Sequence, residues 1–151
     1  MKWQRDEYLI STDKTEMDVA YIHQFLSEQS YWAQGIPYDT VERSIAHSLC
    51  FGVYHHQKQI GFARIITDYA TFGYLADVFV DVAYRGKGLS KWLIQIVMEY
   101  PALQGLRRIM LGTRDAQGLY AQFGFIHPTN PAEIMHIRMP DVYKKTITSN
   151  K

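Results

Sequence analysis

The segment Tyr84–Ser90, with the sequence YRGKGLS, combines residue types that suit the binding of a phosphate or a pyrophosphate. Gly86 and Gly88 let the backbone approach a ligand closely and adopt conformations that are closed to other residues. Backbone amides in such a turn can point into one concavity, and a helix that starts there adds about half a positive charge. Arg85 and Lys87 add full positive charges. The alternative is a tight turn that needs glycine for its geometry alone. The spacing matches neither a P-loop nor the Gly-x-Gly-x-x-Gly motif.

This turn lies between a predicted strand and the clearest helix of the chain. Tyr74–Asp81 (YLADVFVD) is rich in residues that favour strands. After the turn, apolar residues recur at helical spacing as far as Pro101, which ends the pattern: Leu89, Trp92, Leu93, Ile96, Val97 and Tyr100. A strand, a glycine-rich turn and a helix N-terminus in this order favour a phosphate ligand.

The N-terminal half predicts a strand, two helices and a hairpin. Tyr8–Ser11 is a short first strand, and a helix follows from about Glu16 to Gln29. A second helix begins near Pro37, because proline is favoured at a helix start. Cys50–Tyr54 and Ile60–Tyr69 are two apolar strands joined by a polar turn, which predicts a hairpin.

The C-terminal half continues the alternation of strands and helices. Arg107–Leu111 is a predicted strand, Asp115–Gln122 a short helix, and Phe125–His127 and Ile134–Met139 are the two last strands. The order β-α-α-β-β-β-α-β-α-β-β predicts an α/β fold whose mixed sheet is covered by helices. The 151 residues fit one domain, and the polar tail at about 141–151 is expected to fray.

Two segments resemble signatures of the GNAT superfamily of N-acetyltransferases. Its acyl-CoA-binding motif reads Arg/Gln-x-x-Gly-x-Gly/Ala, and Arg85, Gly88 and Ser90 fill the three fixed positions. Ser90 departs from the family pattern, which usually has Gly or Ala there. Residues 116–125 (AQGLYAQFGF) resemble the family segment A-x-x-L-Y-x-x-x-G-F, and Thr113 stands where the family often has Asn. The predicted element order matches the GNAT fold, so the resemblance covers nearly the whole chain.

The resemblance implies transfer of an acetyl group from acetyl-CoA to a primary amine of a small molecule or a protein. It places acetyl-CoA against the backbone of Val78, Phe79 and Val80, which would pair with the pantetheine arm as a peptide pairs with a strand edge. A free N–H there could also hold the thioester carbonyl. The alternative for Val78 and Val80 is core packing, which is compatible with that role. The other cofactor-binding residues that it implies are Arg85, Gly86, Lys87, Gly88, Leu89, Ser90 and Lys91.

The same resemblance assigns the role of general acid to Tyr120. A phenol has a pKa of ~10, near that of an alkyl thiol, so it can protonate a departing thiolate while remaining neutral at pH 7. The alternative is a buried tyrosine that packs on the apolar face of its helix with Ala116, Leu119 and Phe123.

The acceptor site and the general base depend on less specific signals. Asp77 is a carboxylate within the strand Tyr74–Asp81, where alternation puts it on one face with Leu75 and Phe79. It could take the proton of the amine or hold a cationic substrate, and a salt bridge to Arg64 is the alternative. His23, Glu28 and Asp68 are weaker candidates for the base.

The aromatic pair Tyr31-Trp32 lies between the first two helices, where the family closes over the acceptor. Adjacent aromatic rings in a loop suit an apolar or cationic substrate. The alternative is that they fill the core beneath the loop. Tyr31, Trp32 and Arg64 are therefore the predicted substrate-binding residues.

Composition excludes several classes of protein. The 16 Lys and Arg residues nearly balance the 15 Asp and Glu residues, which argues against a dedicated nucleic-acid or membrane-surface binder. No apolar run approaches membrane-spanning length, and the N-terminus has no signal-peptide core, so a cytoplasmic location is expected.

Cys50 is the single cysteine, which excludes an internal disulfide. His55 and His56 have no acidic residue at ligand spacing, so no metal is expected.

Two further functions remain open at this point. A non-catalytic acyl-CoA sensor or interaction module would keep the turn at residues 84–90 without the chemistry. A nucleic-acid-binding domain would rest on five cations that one CoA molecule explains better: Arg85, Lys87, Lys91, Arg107 and Arg108. Neither nucleic acid nor membrane is an expected partner, and a homodimer is left open.

Overall fold

A six-stranded sheet forms the centre of the computed structural model, which describes residues 1–144. The strands lie side by side in chain order, and every neighbouring pair is antiparallel except the last, which is parallel. This confirms the predicted mixed sheet. The strands are β1 (Lys2–Arg5), β2 (Tyr8–Ser11), β3 (Leu49–His55), β4 (Lys58–Thr67), β5 (Phe72–Val80) and β6 (Arg108–Met110).

Helices cover both faces of the sheet. Helix α1 (Val19–Gln24), with a π-helical turn at Phe25–Gln29, packs together with α2 (Tyr38–Ala46) on one face. Helix α3 (Leu89–Glu99) packs on the opposite face, followed by the short α4 (Gln117–Ala121). Because both faces are covered, β3 and β4 read as nearly continuous apolar runs rather than as alternating patterns.

The parallel pair β5–β6 separates soon after it begins. Phe72, Gly73 and Tyr74 pair with the three residues of β6, which then ends at Met110. β5 continues to Val80, so within residues 1–144 no strand covers this edge of β5 beyond Tyr74. An extended ligand could pair with the backbone along that open edge.

A β-bulge interrupts β5 at Asp77. Asp77 and Val78 lie opposite the single residue Ala63 of β4, and Asp77 has a φ of 54°. That left-handed conformation costs a residue with a side chain about 1–2 kcal/mol. The extra residue reverses the alternation of faces, because Leu75 packs with the α3 core and Phe79 with the α1 core. The prediction that Leu75, Asp77 and Phe79 share one face is therefore wrong.

Two features of the N-terminal half also differ from the prediction. The strand Tyr8–Ser11 is second rather than first, because the polar segment Lys2–Arg5 pairs with it across a tight turn. The first helix begins at Val19, where the carboxylate of Asp18 accepts a hydrogen bond from the N–H of Tyr21. The short 3-10 turn Lys14–Glu16 precedes it.

The two last predicted strands do not form within the described residues. Residues 125–127 and 134–139 belong to no strand, and Met135 and Ile137 are 91% exposed. A strand needs backbone partners as well as β-prone residues, and the sheet ends at β6. The predicted fraying of the tail falls largely on residues 145–151, which lie outside the described part. No helix in residues 1–144 has the length and apolarity needed to cross a membrane.

Candidate active site

A cavity of about 570 Å³ opens where β5 and β6 separate. Residues 74–78 of β5 form one wall, and residues 111–116, which follow β6, form the other. The loop residues Tyr31 and Trp32, together with Tyr120 and Arg138, complete the lining. The structure thus brings together Asp77, Val78, Tyr120 and the aromatic pair, which the sequence analysis selected separately.

Tyr120 is a buried titratable residue in this lining. Its side chain is 8% exposed and packs edge-on against Phe125, with 5.8 Å between ring centroids. Burial, reinforced by the nearby Tyr31 and Asp115, raises the pKa of Tyr120 to about 12. Among residues 1–144 the hydroxyl of Tyr120 has no hydrogen-bond partner, so it is free to donate to a ligand.

A side-chain hydrogen bond holds the residue that precedes helix α4, which carries Tyr120. The hydroxyl of Thr113 accepts a hydrogen bond from the N–H of Ala116 at 3.1 Å. Thr113 is the departure from the asparagine that is common in the family, and its hydroxyl accepts a bond from this N–H as an amide oxygen can. Ala116 is the residue before α4, so the bond fixes the segment that leads into the helix rather than capping its first turn.

The carboxylate of Asp77 accepts hydrogen bonds from two side chains that are distant in sequence, Arg64 and Trp32. One carboxylate oxygen accepts a 2.7 Å hydrogen bond from Nε of Arg64, and the other accepts a 2.8 Å bond from Nε1 of Trp32. Arg64 also donates to the hydroxyl of Ser48 at 3.1 Å. The salt bridge that the sequence analysis left as an alternative is present, and both oxygens of Asp77 are engaged. Arg64 lies behind Asp77 and is not part of the cavity lining.

The aromatic loop lies over the cavity rather than filling the core. Trp32 is 42% exposed. The hydroxyl of Tyr31 accepts a 2.9 Å hydrogen bond from the backbone N–H of Arg114, and the Arg114 guanidinium stacks on the Tyr31 ring at 3.9 Å. The two side chains therefore join the loop to both walls of the cavity, Trp32 to β5 and Tyr31 to the segment after β6.

The glycine-rich turn has the geometry of an anion-binding helix start. Gly86 and Gly88 have φ values of 80° and 75°, and Gly88 is the first cap residue of α3. No side chain of residues 1–144 caps α3, so the N–H groups of its first turn remain open. A Cβ on Gly86 would meet nothing within 4 Å, which shows open space above the turn. These features fit the pyrophosphate of acetyl-CoA.

The predicted cofactor-binding residues differ in what they can offer a ligand. Arg85, Lys87 and Lys91 are exposed, and Nε of Arg85 donates to the carbonyl of Val80 at 3.3 Å. Three side chains are instead buried in the core, so they can contribute only backbone groups: Phe79, Val80 and Leu89.

Arg5 lies beside this glycine-rich turn, and the sequence analysis did not select it. A Cβ on Gly88 would lie 3.4 Å from a guanidinium nitrogen of Arg5, and Arg5 stacks on Trp92 of α3 at 5.2 Å. The residue is carried by β1, a polar strand that the pattern did not predict. Arg108, by contrast, pairs with Phe72 at the far end of β5. The five cations that could have formed one nucleic-acid patch are therefore divided between opposite ends of the sheet.

Glu7 is a second residue that sequence spacing could not connect to its neighbours. Its carboxylate lies 3.2 Å from Nε2 of His55 and 3.8 Å from Nε2 of His56, at the tips of two adjacent hairpins. The other ring nitrogen of His55 contacts the hydroxyl of Tyr84 at 3.0 Å. Protein partners thus occupy both nitrogens of His55, and the absence of a metal site remains a prediction.

The chain is similar to proteins with acetyltransferase names in both sequence and structure. Residues 15–125 match the profile of the Acetyltransferase (GNAT) family. A Gibberella zeae protein named a putative acetyltransferase is 36% identical over 142 residues, which span 80% of this chain and 79% of the relative. The crystal structure of a putative acetyltransferase of the GNAT family from Xanthomonas campestris pv. campestris is 48% identical, with a TM-score of 0.89, over 91% of this chain and 97% of that one.

The fold also extends to a more distant enzyme. Glucosamine-6-phosphate N-acetyltransferase from Arabidopsis thaliana has a TM-score of 0.61 at 14% identity, over 87% of this chain and 97% of that one. At that identity the likeness concerns the fold alone.

Proposed function

The chain belongs to the acetyltransferase (GNAT) family, and from this premise we propose that it transfers the acetyl group of acetyl-CoA to the primary amine of a small molecule or a protein. Acetyl-CoA supplies the acetyl group as a thioester, so that a C–N bond forms while the C–S bond breaks. The amine loses a proton, and the sulfur gains one. The residues around the cavity supply positioning, hydrogen bonds and that proton.

The turn at residues 85–91 binds the pyrophosphate in this proposal. The open N–H groups at the start of α3, together with Arg5 and Arg85, give a positive site at the end of β5. From there the exposed backbone edge of Val78–Val80 leads toward the cavity. A ligand that pairs with this edge reaches the cavity at Asp77 and Val78, beside Tyr120.

Tyr120 acts as the general acid that donates to the leaving sulfur. Its pKa of about 12 lies well above that of a thiol, ~8.5 for cysteine, so the hydroxyl stays protonated and complete transfer of its proton to a thiolate is uphill. The hydroxyl therefore stabilises the developing thiolate first by a hydrogen bond, which is strengthened by the low polarity around it.

Asp77 has a positioning role, because both of its oxygens are already engaged. The carboxylate joins Arg64, the bulge in β5 and Trp32, and so holds the aromatic loop over the cavity. A carboxylate in this state is a weaker candidate for the base than the sequence pattern suggested.

The observation that carries this proposal is the open β5 edge, which runs from the glycine-rich turn to the cavity beside Tyr120 in a chain of this family. The test is to incubate the protein with acetyl-CoA and a panel of primary amines, and to measure free thiol and the mass of each amine. We expect thiol release that depends on the amine, with an equal amount of product heavier by one acetyl group. Binding of acetyl-CoA without any acetylated product would instead identify an acyl-CoA sensor.

A further inference from the structure

Two arginines that line the cavity lack an acidic partner among residues 1–144. Arg114 and Arg138 both line the cavity, and neither forms a salt bridge with any of residues 1–144. Arg64 differs from them, because its charge is neutralised by Asp77 at 2.7 Å. The positive charge that a ligand in the cavity meets therefore comes from Arg114 and Arg138.

Arg114 is held in place by the protein. Its guanidinium stacks on the ring of Tyr31 at 3.9 Å, and its backbone N–H donates to the Tyr31 hydroxyl at 2.9 Å. Stacking uses the face of the guanidinium and leaves the N–H groups at its edge to donate. A planar fork of this kind matches the two oxygens of a carboxylate or a phosphate.

These two arginines lie away from the site for the cofactor phosphates. The phosphate-binding turn begins at Arg85, after the end of β5, whereas the cavity reaches β5 at Tyr74–Val78. From the middle of that wall, Ala76, to Val80 the strand covers roughly 13 Å at about 3.3 Å per residue. The part of acetyl-CoA that reaches the cavity in the proposed function is the uncharged thioester end, which offers these arginines no anion.

We propose that the acceptor carries an acidic group, a carboxylate or a phosphate, in addition to its amine, and that Arg114 and Arg138 bind this group. Asp115 also lines the cavity and has no ion-pair or hydrogen-bond partner among the described residues, so it offers a carboxylate to the ammonium end of the same molecule. The cavity then matches a compact acceptor with charges of both signs. This inference rests on the proposed function, because it names the class of acceptor.

The test compares amines of similar size that differ in their second group. Ethanolamine carries a neutral hydroxyl, β-alanine a carboxylate and phosphoethanolamine a phosphate. We expect kcat/KM to be at least about 10-fold higher for one of the two anionic amines than for ethanolamine, since hydrogen bonds to charged groups change equilibria by about 10- to 100-fold. The preference between β-alanine and phosphoethanolamine identifies the acidic group.

Substitutions of Arg114 and Arg138 test whether these two residues cause the preference for an anionic amine. Arg114→Gln and Arg138→Gln should each lower kcat/KM for the preferred anionic amine by about 10-fold or more. The loss on the anionic amine should clearly exceed the loss on ethanolamine, and the KM for acetyl-CoA should remain within about twofold. Arg107→Gln is the matched control, because Arg107 is exposed and does not line this cavity. Equal use of all three amines by the wild type, or an equal loss on all three in the variants, would overturn the inference.

Calorimetry with the same three amines and the CoA-saturated protein separates this inference from the proposed function. Selective binding of an anionic amine that Arg138→Gln abolishes supports the inference even if no acetylated product forms, in which case only the proposed function fails. Acetylation of ethanolamine as efficient as that of both anionic amines, with no selective binding, leaves the proposed function intact and contradicts the inference.

Discussion

The indole N–H of Trp32 donates a 2.8 Å hydrogen bond to the carboxylate of Asp77, 45 residues further along the chain. This bond joins the loop after α1 to the bulge of β5, where Asp77 has a left-handed backbone conformation. Arg64 holds the other oxygen of the same carboxylate. Asp77 thus joins the aromatic loop to the β5 wall of the cavity, and the charge of its carboxylate is compensated by Arg64.

Asp77→Asn should affect stability more than chemistry. Removing one partner of a mostly buried ion pair leaves Arg64 without its counter-charge, which costs about 3 kcal/mol. For a chain of this size, that loss lowers Tm by roughly 6–12 °C. Thermal unfolding and kcat at saturating substrates are the two measurements. If Asp77 were the general base, kcat would instead fall steeply, most of all at low pH, where deprotonation of the amine limits the rate.

Gly88→Asp should abolish most of the affinity for CoA. The substitution places a negative charge beside the open N–H groups of α3, at a φ of 75°, and next to Arg5. We expect Kd, measured by calorimetry, to rise at least about 10-fold, since an ion pair with Arg5 removes one positive charge and the carboxylate competes with phosphate.

Gly105→Asp is the matched control for the strain that this change introduces. Gly105 has a φ of 88° and nothing within 4 Å of a built Cβ, but it follows α3 rather than preceding it. Both variants should lose similar stability, whereas only the Gly88 variant should lose CoA affinity. Equal affinities in the two variants would remove the turn from the cofactor site.

The signals that sequence analysis used successfully are local ones. The glycine-rich turn lies within seven residues, and Tyr120 lies in one continuous motif. The Asp77–Arg64 pair could be anticipated because the two strands were predicted as neighbours. In each case the separation along the chain, or a simple hairpin, already determines which groups lie close together.

The residues that were missed depend on pairing and register. Arg5 reaches the turn through β1, whose sequence KWQR has no alternating apolar pattern. The bulge at Asp77 depends on one extra residue opposite Ala63, which no periodicity in β5 shows. Arg114 and Arg138 lie in irregular segments, so nothing in their spacing predicts a shared cavity. Segment 134–139 shows the opposite kind of error. Its β-prone residues predicted a strand, but in the described sheet no neighbouring strand pairs with it.

The stability of the fold should decline at alkaline pH because of buried phenols. Burial raises the pKa of Tyr21, Tyr54 and Tyr120 above the value of ~10 for the unfolded chain. Stability is therefore fully present below pH ~10 and falls as pH rises further, since the unfolded state releases these protons first. Each group contributes about 1.4 kcal/mol per pH unit once its unfolded form is ionised. Denaturant unfolding at pH 8, 10 and 11 measures the decline, and Tyr120→Phe should make it shallower.

Tyr120→Phe should lower kcat by about 10²- to 10⁴-fold if the chemical step limits turnover, because general acid catalysis typically contributes that much. The ring and its contact with Phe125 remain, so Tm at pH 7 should change little. KM for acetyl-CoA should change much less than kcat, since the hydroxyl acts mainly as the C–S bond breaks. Tyr69→Phe is the control, because Tyr69 is exposed and lies outside the cavity lining.

The pH dependence gives a second test of the same role. With a pKa of about 12, the phenol of Tyr120 stays protonated throughout the range from pH 7 to 10. Ionisation of Tyr120 therefore cannot produce a loss of rate between pH 7 and 10, and any such loss should persist unchanged in Tyr120→Phe. A Phe variant within a fewfold of the wild type, measured where a pre-steady-state burst is absent and chemistry limits the rate, would leave Tyr120 as a packing residue and assign the proton to water.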